Sequence, residues 1–168
     1  VRWLGGRIEY EAGPRQSERL ISECGLDGIT SVATPGVTPT FTELEADTEL
    51  SAKLHTAFRG SAARSNYLAA DRIDAQLACK EVCRWMSRPT GHAWQALKRV
   101  CGFFRGARRL VYTYPEQTVQ GIDVYTDADL AGCPKTRKST SGGTMMLGCH
   151  AIKHWSSTQT SVALSSRN

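Results

Sequence analysis

Asp123, Asp127 and Asp129 fall in one short run, Gly121 to Asp129. Read as a β-strand, the run alternates so that Asp123, Tyr125, Asp127 and Asp129 share one face while Ile122, Val124 and Thr126 lie nearer the other. Carboxylates on one side repel each other unless a cation or solvent screens them, so the run reads as a divalent-metal site or as a solvated strand edge. The edge is the more economical reading of one strand alone. Two-metal phosphodiester cleavage needs several carboxylates from different elements, holding two ions about 3.5–4 Å apart.

A second chemistry is suggested by charge. Residues 80–109 hold 8 basic and 1 acidic residue, against 6 and 9 in 1–60, 2 and 2 in 61–79, and 5 and 4 in 110–168. Arg84, Arg88, Lys98, Arg99, Arg105, Arg108 and Arg109 are interleaved there with Trp85, Trp94, Phe103 and Phe104. That mixture suits a protein tracking a phosphate backbone. It suits equally a solvated helix face laid over an aromatic core, and composition does not separate the two. The net charge of +5 permits a polyanionic partner without requiring one.

The third candidate set is Cys24, Cys79, Cys83, Cys101, Cys133 and Cys149, which contains no C-x-x-C pair. Reduced, partly buried thiols of an intracellular protein are expected rather than a disulfide framework. Cys149, His150 and His154 suggest zinc, but in an extended segment the two histidines, sharing a face, would stand roughly 13 Å apart at ~3.3 Å per residue. That is too far for one metal with bonds of about 2 Å.

The elements that must position these residues are legible from periodicity. Val1 to Glu11 reads as a strand or hairpin broken at Gly5-Gly6, and Gln16 to Cys24 as a helix ended by Gly25. Residues 26–42 are rich in Gly, Thr and Pro and read as a loop. Ser51 to Met86 predicts two packed helices with a break near Asp71, which can cap the second; Leu68, Ala75, Ala78, Cys79, Val82 and Met86 form its apolar stripe. Arg88-Pro89 closes that segment. Thr90 is placed to cap a further helix, with Trp94, Leu97, Cys101 and Phe104 inward and Gly106 at its end. Beyond Arg109 the period becomes two. Leu110 to Tyr114, Gly121 to Thr126, Ser141 to Cys149 and Ala151 to Ser156 predict an antiparallel meander, with Cys133 to Thr140 as a basic loop and a further element beginning at Val162 to Ser166.

A chain of 168 residues with 40% hydrophobic and 22% charged residues is globular in composition, which excludes collagen-like, mucin-like and wholly disordered classes. The longest uncharged runs, such as Gly28 to Thr42, are polar and contain proline, so no membrane span is expected. No secretory signal is expected behind Val1 either.

The run YTDADLAGCPKTRKSTSG, Tyr125 to Gly142, closely resembles the start of the ribonuclease H domain in copia-type LTR-retrotransposon Pol polyproteins, whose pattern is approximately Y-S-D-A-D-W-A-G, a basic loop, then R-S-T-S-G. HWSSTQTSVALSS, His154 to Ser166, is similar to that family's next strand and the approach to its first helix. MSRPTGHAWQALKRV, Met86 to Val100, resembles the segment joining polymerase to ribonuclease H, and FRGSAARSNYLAADRIDAQ, Phe58 to Gln76, matches more loosely. RWLGGRIEY, Arg2 to Tyr10, resembles the strand turn that grips the primer end in reverse transcriptases.

The resemblance implies an α+β chain in three parts: a primer-grip and thumb-like remnant over 1–50, a basic helical connection over 51–109, and a truncated ribonuclease H-like meander over 110–168. It implies magnesium as cofactor, an RNA–DNA hybrid or other nucleic acid as partner together with the rest of a Pol polyprotein, and no membrane. Asp127 matches the first metal-bridging carboxylate, and Asp129 a recurrent position without an assigned role. The second acid of the family lies in Glu-Ala-Glu after V-A-L-S-S, where this sequence reads Arg167-Asn168. Leu130 replaces the family's tryptophan, and Asp71-Arg72-Ile73-Asp74 stands for its Arg-Pro-Asp-Ile. One matched carboxylate implies a chain inactive by itself, with a non-catalytic hybrid-binding remnant as the alternative.

Overall fold

The computed structural model describes residues 1–133 and 136–164. The expected basic loop at Pro134 and Lys135, and the expected last element at Ser165 and Ser166, lie outside the described residues. The chain is α+β and forms two compact units, Glu11–Leu110 and Val1–Tyr10 with Val111–Asn168.

The first unit is helical. It contains α1 (Arg15–Glu23), α2 (Phe41–Glu45), α3 (Ala52–Ala69), α4 (Gln76–Cys83) and α5 (Gly91–Gly106). Its core joins Leu20 and Ile21 of α1, Phe58, Ala62 and Leu68 of α3, Cys79 and Val82 of α4, and Leu97, Val100, Cys101 and Phe104 of α5. Burying each large apolar side chain contributes about 1.5–3 kcal/mol, and among the described residues these four helices supply nearly all of the buried apolar groups. The stripes read from the sequence are the ones buried, with Ala78, Met86 and Trp94 at the margin. Gly25 closes α1 at φ +64°. Thr90 caps α5, its hydroxyl accepting from Ala93 N at 3.3 Å.

The break between α3 and α4 falls where expected, but Asp71 is not the cap: Ala75 occupies that position. The break is organised by Arg72 instead. Its side chain, only 3% exposed, makes paired hydrogen bonds to Asp74 at 2.9 and 2.7 Å and donates to the Ala107 carbonyl at 2.7 Å, beyond the end of α5. Its guanidinium lies 4.7 Å from the Phe104 ring centroid. A cation buried with a bidentate partner, a carbonyl and an aromatic face is satisfied where an unpaired one would be costly.

The second unit holds two three-stranded sheets, β1 (Arg2–Leu4), β2 (Arg7–Glu11) and β3 (Val111–Pro115) in the order β1-β2-β3, and β4 (Ile122–Ala128), β5 (Thr140–Leu147) and β6 (His150–Thr158) in the order β4-β5-β6. The expected meander thus begins at β4. β3 joins the N-terminal hairpin instead, where Tyr112 packs against Tyr10 with ring centroids 6.1 Å apart and Glu116 N donates to the Gly6 carbonyl at 2.7 Å. In the β4-β5-β6 sheet both pairings are antiparallel. Gly143 is required by packing: a Cβ there would meet the Trp155 ring and stand 2.7 Å from the Tyr125 carbonyl oxygen. Gly148 turns the β5–β6 hairpin at φ +57°, and Gln117 braces it, donating to Leu147 O at 2.7 Å and accepting from Cys149 N at 3.0 Å. Among the described residues no helix is long and apolar enough to cross a membrane.

Arg72→Ala should destabilise the helical unit by about 3 kcal/mol in chemical denaturation, as expected when one partner of a buried ion pair is removed; a loss below about 1 kcal/mol would deny Arg72 its organising place. Glycine substitutions should split by site. Gly60, in α3 with open space around its Cβ position, should tolerate alanine with a gain of about 0.5–1 kcal/mol, whereas Gly143→Ala should cost about 1–3 kcal/mol and shift the indole resonance of Trp155.

Candidate nucleic-acid interface

The seven cations singled out by charge density do not form one uniform array. They are distributed from the C-cap of α4 at Arg84, through Arg88 in the turn, to Lys98, Arg99 and Arg105 on α5 and Arg108 and Arg109 just past it. A helix of 16 residues such as α5 is about 24 Å long at 1.5 Å per residue. Three of the seven meet carboxylates. Arg84 pairs with Glu81 at 2.9 Å, Arg88 with Glu49 at 2.9 Å, and Arg109 grips Glu11 through two bonds of 2.6 and 2.9 Å. That contact holds the Arg109 guanidinium above its usual range, chiefly through the Glu11 hydrogen bonds.

Two others hold a loop. Arg99 donates to the Thr34 hydroxyl at 2.7 Å and Arg105 to the Asp27 carbonyl. Between these ties, α5 approaches the loop closely at its glycines. A Cβ at Gly102 would stand 3.0 Å from Thr30 O, and one at Gly106 would stand 3.1 Å from Ser31 Cβ. Val32 N donates to Gly102 O at 3.3 Å. Part of the basic helix face is therefore covered by the Gly/Thr-rich loop read from the sequence, and its arginines pin that loop. Lys98 is half-buried, and Arg108 is exposed with its Nε donating to Arg105 O at 3.4 Å.

Counting charges along the chain missed two further arginines because they lie outside the dense stretch. Arg59 donates to Met86 O at 2.7 Å and Ser87 O at 3.2 Å, serving carbonyls beyond α4, and Arg64 ties α3 to Glu23 at 2.7 Å and Gln16 at 3.0 Å. Carbonyls near helix ends need donors from elsewhere, which is the one sequence-level signal for Arg59.

The acidic strand is placed as expected, with Asp123 and Asp127 on one face. β4 is an edge strand, exposed along its whole length. Asp123 pairs with Met146 and Asp127 with Gly142, which puts both on one face, roughly 13 Å apart at ~3.3 Å per residue. Asp127 accepts from the Ala128 amide at 2.8 Å. Asp129 lies past the end of the strand and turns back, its carboxylate accepting from Thr140 N while its own amide donates to Thr140 O at 3.1 Å. It closes the loop into β5. Among the described residues no group of three or more His, Cys, Asp or Glu side chains is arranged to hold a metal ion.

The zinc reading fails for an additional reason. A register shift between Met145 and Met146 sets His150 opposite Leu147 and His154 opposite Thr144, which puts the two histidines on opposite faces rather than on one. His150 Nε2 hydrogen-bonds the Pro115 carbonyl at 2.7 Å and its ring meets Tyr114 edge-on at 5.2 Å.

The chain is 33% identical over 138 residues to a retrovirus-related Pol polyprotein from transposon RE2 of Arabidopsis thaliana, covering 82% of this chain and 9% of that protein. It is 33% identical over 102 residues to the corresponding polyprotein from transposon RE1 of the same plant, covering 61% of this chain and 7% of the other. An uncharacterized mitochondrial protein of A. thaliana is 32% identical over 109 residues, 65% of this chain and 45% of its own length. The chain thus spans less than half the length of each of these relatives. No family model matches the sequence, and no solved structure matches the chain.

Arg99→Ala should release the loop and speed its cleavage in limited proteolysis between residues 26 and 34, while Arg88→Ala, which removes an exposed pair of the kind contributing about 0–1 kcal/mol, should leave that cleavage unchanged. Equal rates in the two variants would contradict the assignment of Arg99 to the loop. Over these stretches the chain is similar to the Pol polyproteins of retrotransposons.

Proposed function

We propose that this chain is the joint of a copia-type Pol polyprotein, running from the primer-grip and thumb-like end of a reverse transcriptase through a basic helical connection into the start of a ribonuclease H-like domain. It has no polymerase or nuclease activity alone. The observation that carries this reading is the order of its motifs, from Arg2 to Ser166, together with the 33% identity over 138 residues to a transposon Pol polyprotein. Inactivity rests on the carboxylates. Hydrolysis of a phosphodiester by two metals requires acids converging from separate elements, and Asp127 stands on an exposed edge strand with Asp123 far along it and the Asp129 carboxylate engaged by the Thr140 amide. The six free thiols accord with an intracellular setting.

A second reading, a non-catalytic element that holds an RNA–DNA hybrid, is favoured by the exposure of the ion pairs. Arg88 is 75% exposed against Glu49, and a pair of that kind is weak enough for a phosphate to displace the carboxylate. Arg108 adds an exposed cation at the end of α5.

Incubated with an RNA–DNA hybrid and magnesium or manganese, the chain should show no cleavage above background; cleavage that disappears in Asp127→Asn would overturn the inactive reading. For the second reading, a complex with six phosphate contacts should lose roughly a thousand-fold in hybrid affinity between 50 and 200 mM salt. A flat salt response, or no binding at low salt, would exclude it.

A further inference from the structure

The helical unit contains a thiol pair that neither the Pol relationship nor the basic surface uses. Cys24 is the C-cap of α1 and Cys101 lies in the middle of α5, and their Sγ atoms are 3.9 Å apart. They are separated by 77 residues of chain, so the packing of α1 on α5 brings them together. We propose that Cys24 and Cys101 form a redox modification site, which a hydroperoxide converts to a disulfide locking the end of α1 to α5.

The two thiols have different surroundings. Cys101 is fully buried, whereas Cys24 is partly exposed and within reach of a small oxidant. The Cys101 thiol hydrogen-bonds Cys24, which lowers the Cys24 thiol to about 7 despite its burial, and Ser61 adds a second hydrogen bond in the same direction. The same contact, with burial, raises Cys101. A partly exposed thiol with thiolate character is the nucleophile, and its buried neighbour the resolving group. Forming a disulfide of about 2.05 Å requires the sulfurs to close by roughly 2 Å, which side-chain rotation and the helix end beside Gly25 can supply. The other core thiols are less suited. Burial pushes Cys79 up to about 12, and Cys83 Sγ is engaged with Ala62 O at 3.3 Å.

The chemistry balances with hydrogen peroxide as the oxidant. The Cys24 thiolate attacks one peroxide oxygen, an S–O bond forms, the O–O bond breaks, and the departing hydroxide takes up a proton as water. Cys101 sulfur then attacks the Cys24 sulfenic acid; the S–S bond forms, the S–O bond breaks, and hydroxide leaves as a second water with the Cys101 proton. Two thiols lose two electrons and one peroxide is reduced to two waters.

The test uses the full chain, with Cys133→Ser and Cys149→Ser removing the cysteines of the sheet unit, treated with one equivalent of hydrogen peroxide. Titratable thiols should fall from four to two, peptide mapping should recover a 24–101 crosslink, and dithiothreitol should restore all four. Adding Cys101→Ser should instead leave a Cys24 sulfenic acid trapped by dimedone, and thermal unfolding of each variant establishes that the helical unit is intact. Four thiols remaining after peroxide, a crosslink between any other pair, or no dimedone adduct in the folded Cys101→Ser chain would each overturn the proposal. The crosslink map needs no substitution at either member of the pair, so it stands even if Cys101→Ser does not fold.

Discussion

A single buried guanidinium sets the geometry of the helical unit. Arg72 sits where α3 stops and α4 has not begun, and it reaches Asp74 beside it, the Ala107 carbonyl past α5 and the Phe104 ring within the core. A break of this kind leaves helix-end carbonyls without partners, and a long cation is one of few side chains able to serve a distant carbonyl while its stem stays in apolar surroundings. With the break fixed, α4 packs on α3 and α5, and Phe58, Leu97 and Phe104 become fully buried.

The sheet unit contrasts with it. Ala131 is its one buried apolar residue among those described, and Ile122, Val124 and Tyr125 of β4 are all more than half exposed. Hydrogen bonds between β4 and β5 and the Trp155–Gly143 packing hold the sheet, with little buried apolar surface to add to them. Asp127 is thus displayed on a strand whose edge carries unpaired backbone groups, and the convergence that metal chemistry demands is missing from the described residues.

Much of the fold was legible because its signals are local. Helical apolar spacing located α3, α4 and α5, Thr90 and Gly25 marked ends correctly, and alternation found β4 to β6. What sequence reading misplaced depended on distant partners or a local irregularity. β3 sits with the N-terminal hairpin, where its Tyr112 meets Tyr10, a pairing no local period encodes. The bulge opposite Met145 and Met146 turned His150 and His154 apart. The basic stretch was visible, yet its division into ion pairs and loop ties was not, since Glu11, Asp27, Thr34 and Glu49 all come from the N-terminal part of the chain.

The central claim is that the helical unit holds the stability and the carboxylate-bearing sheet does not share it. Native-state hydrogen exchange tests this residue by residue, because amides that open only with global unfolding report a common free energy while marginal elements exchange sooner. Amides of α3, α4 and α5 in the core should reach one shared, highest level of protection, with β4 amides far below it. Protection of β4 equal to that of α5 would contradict the account.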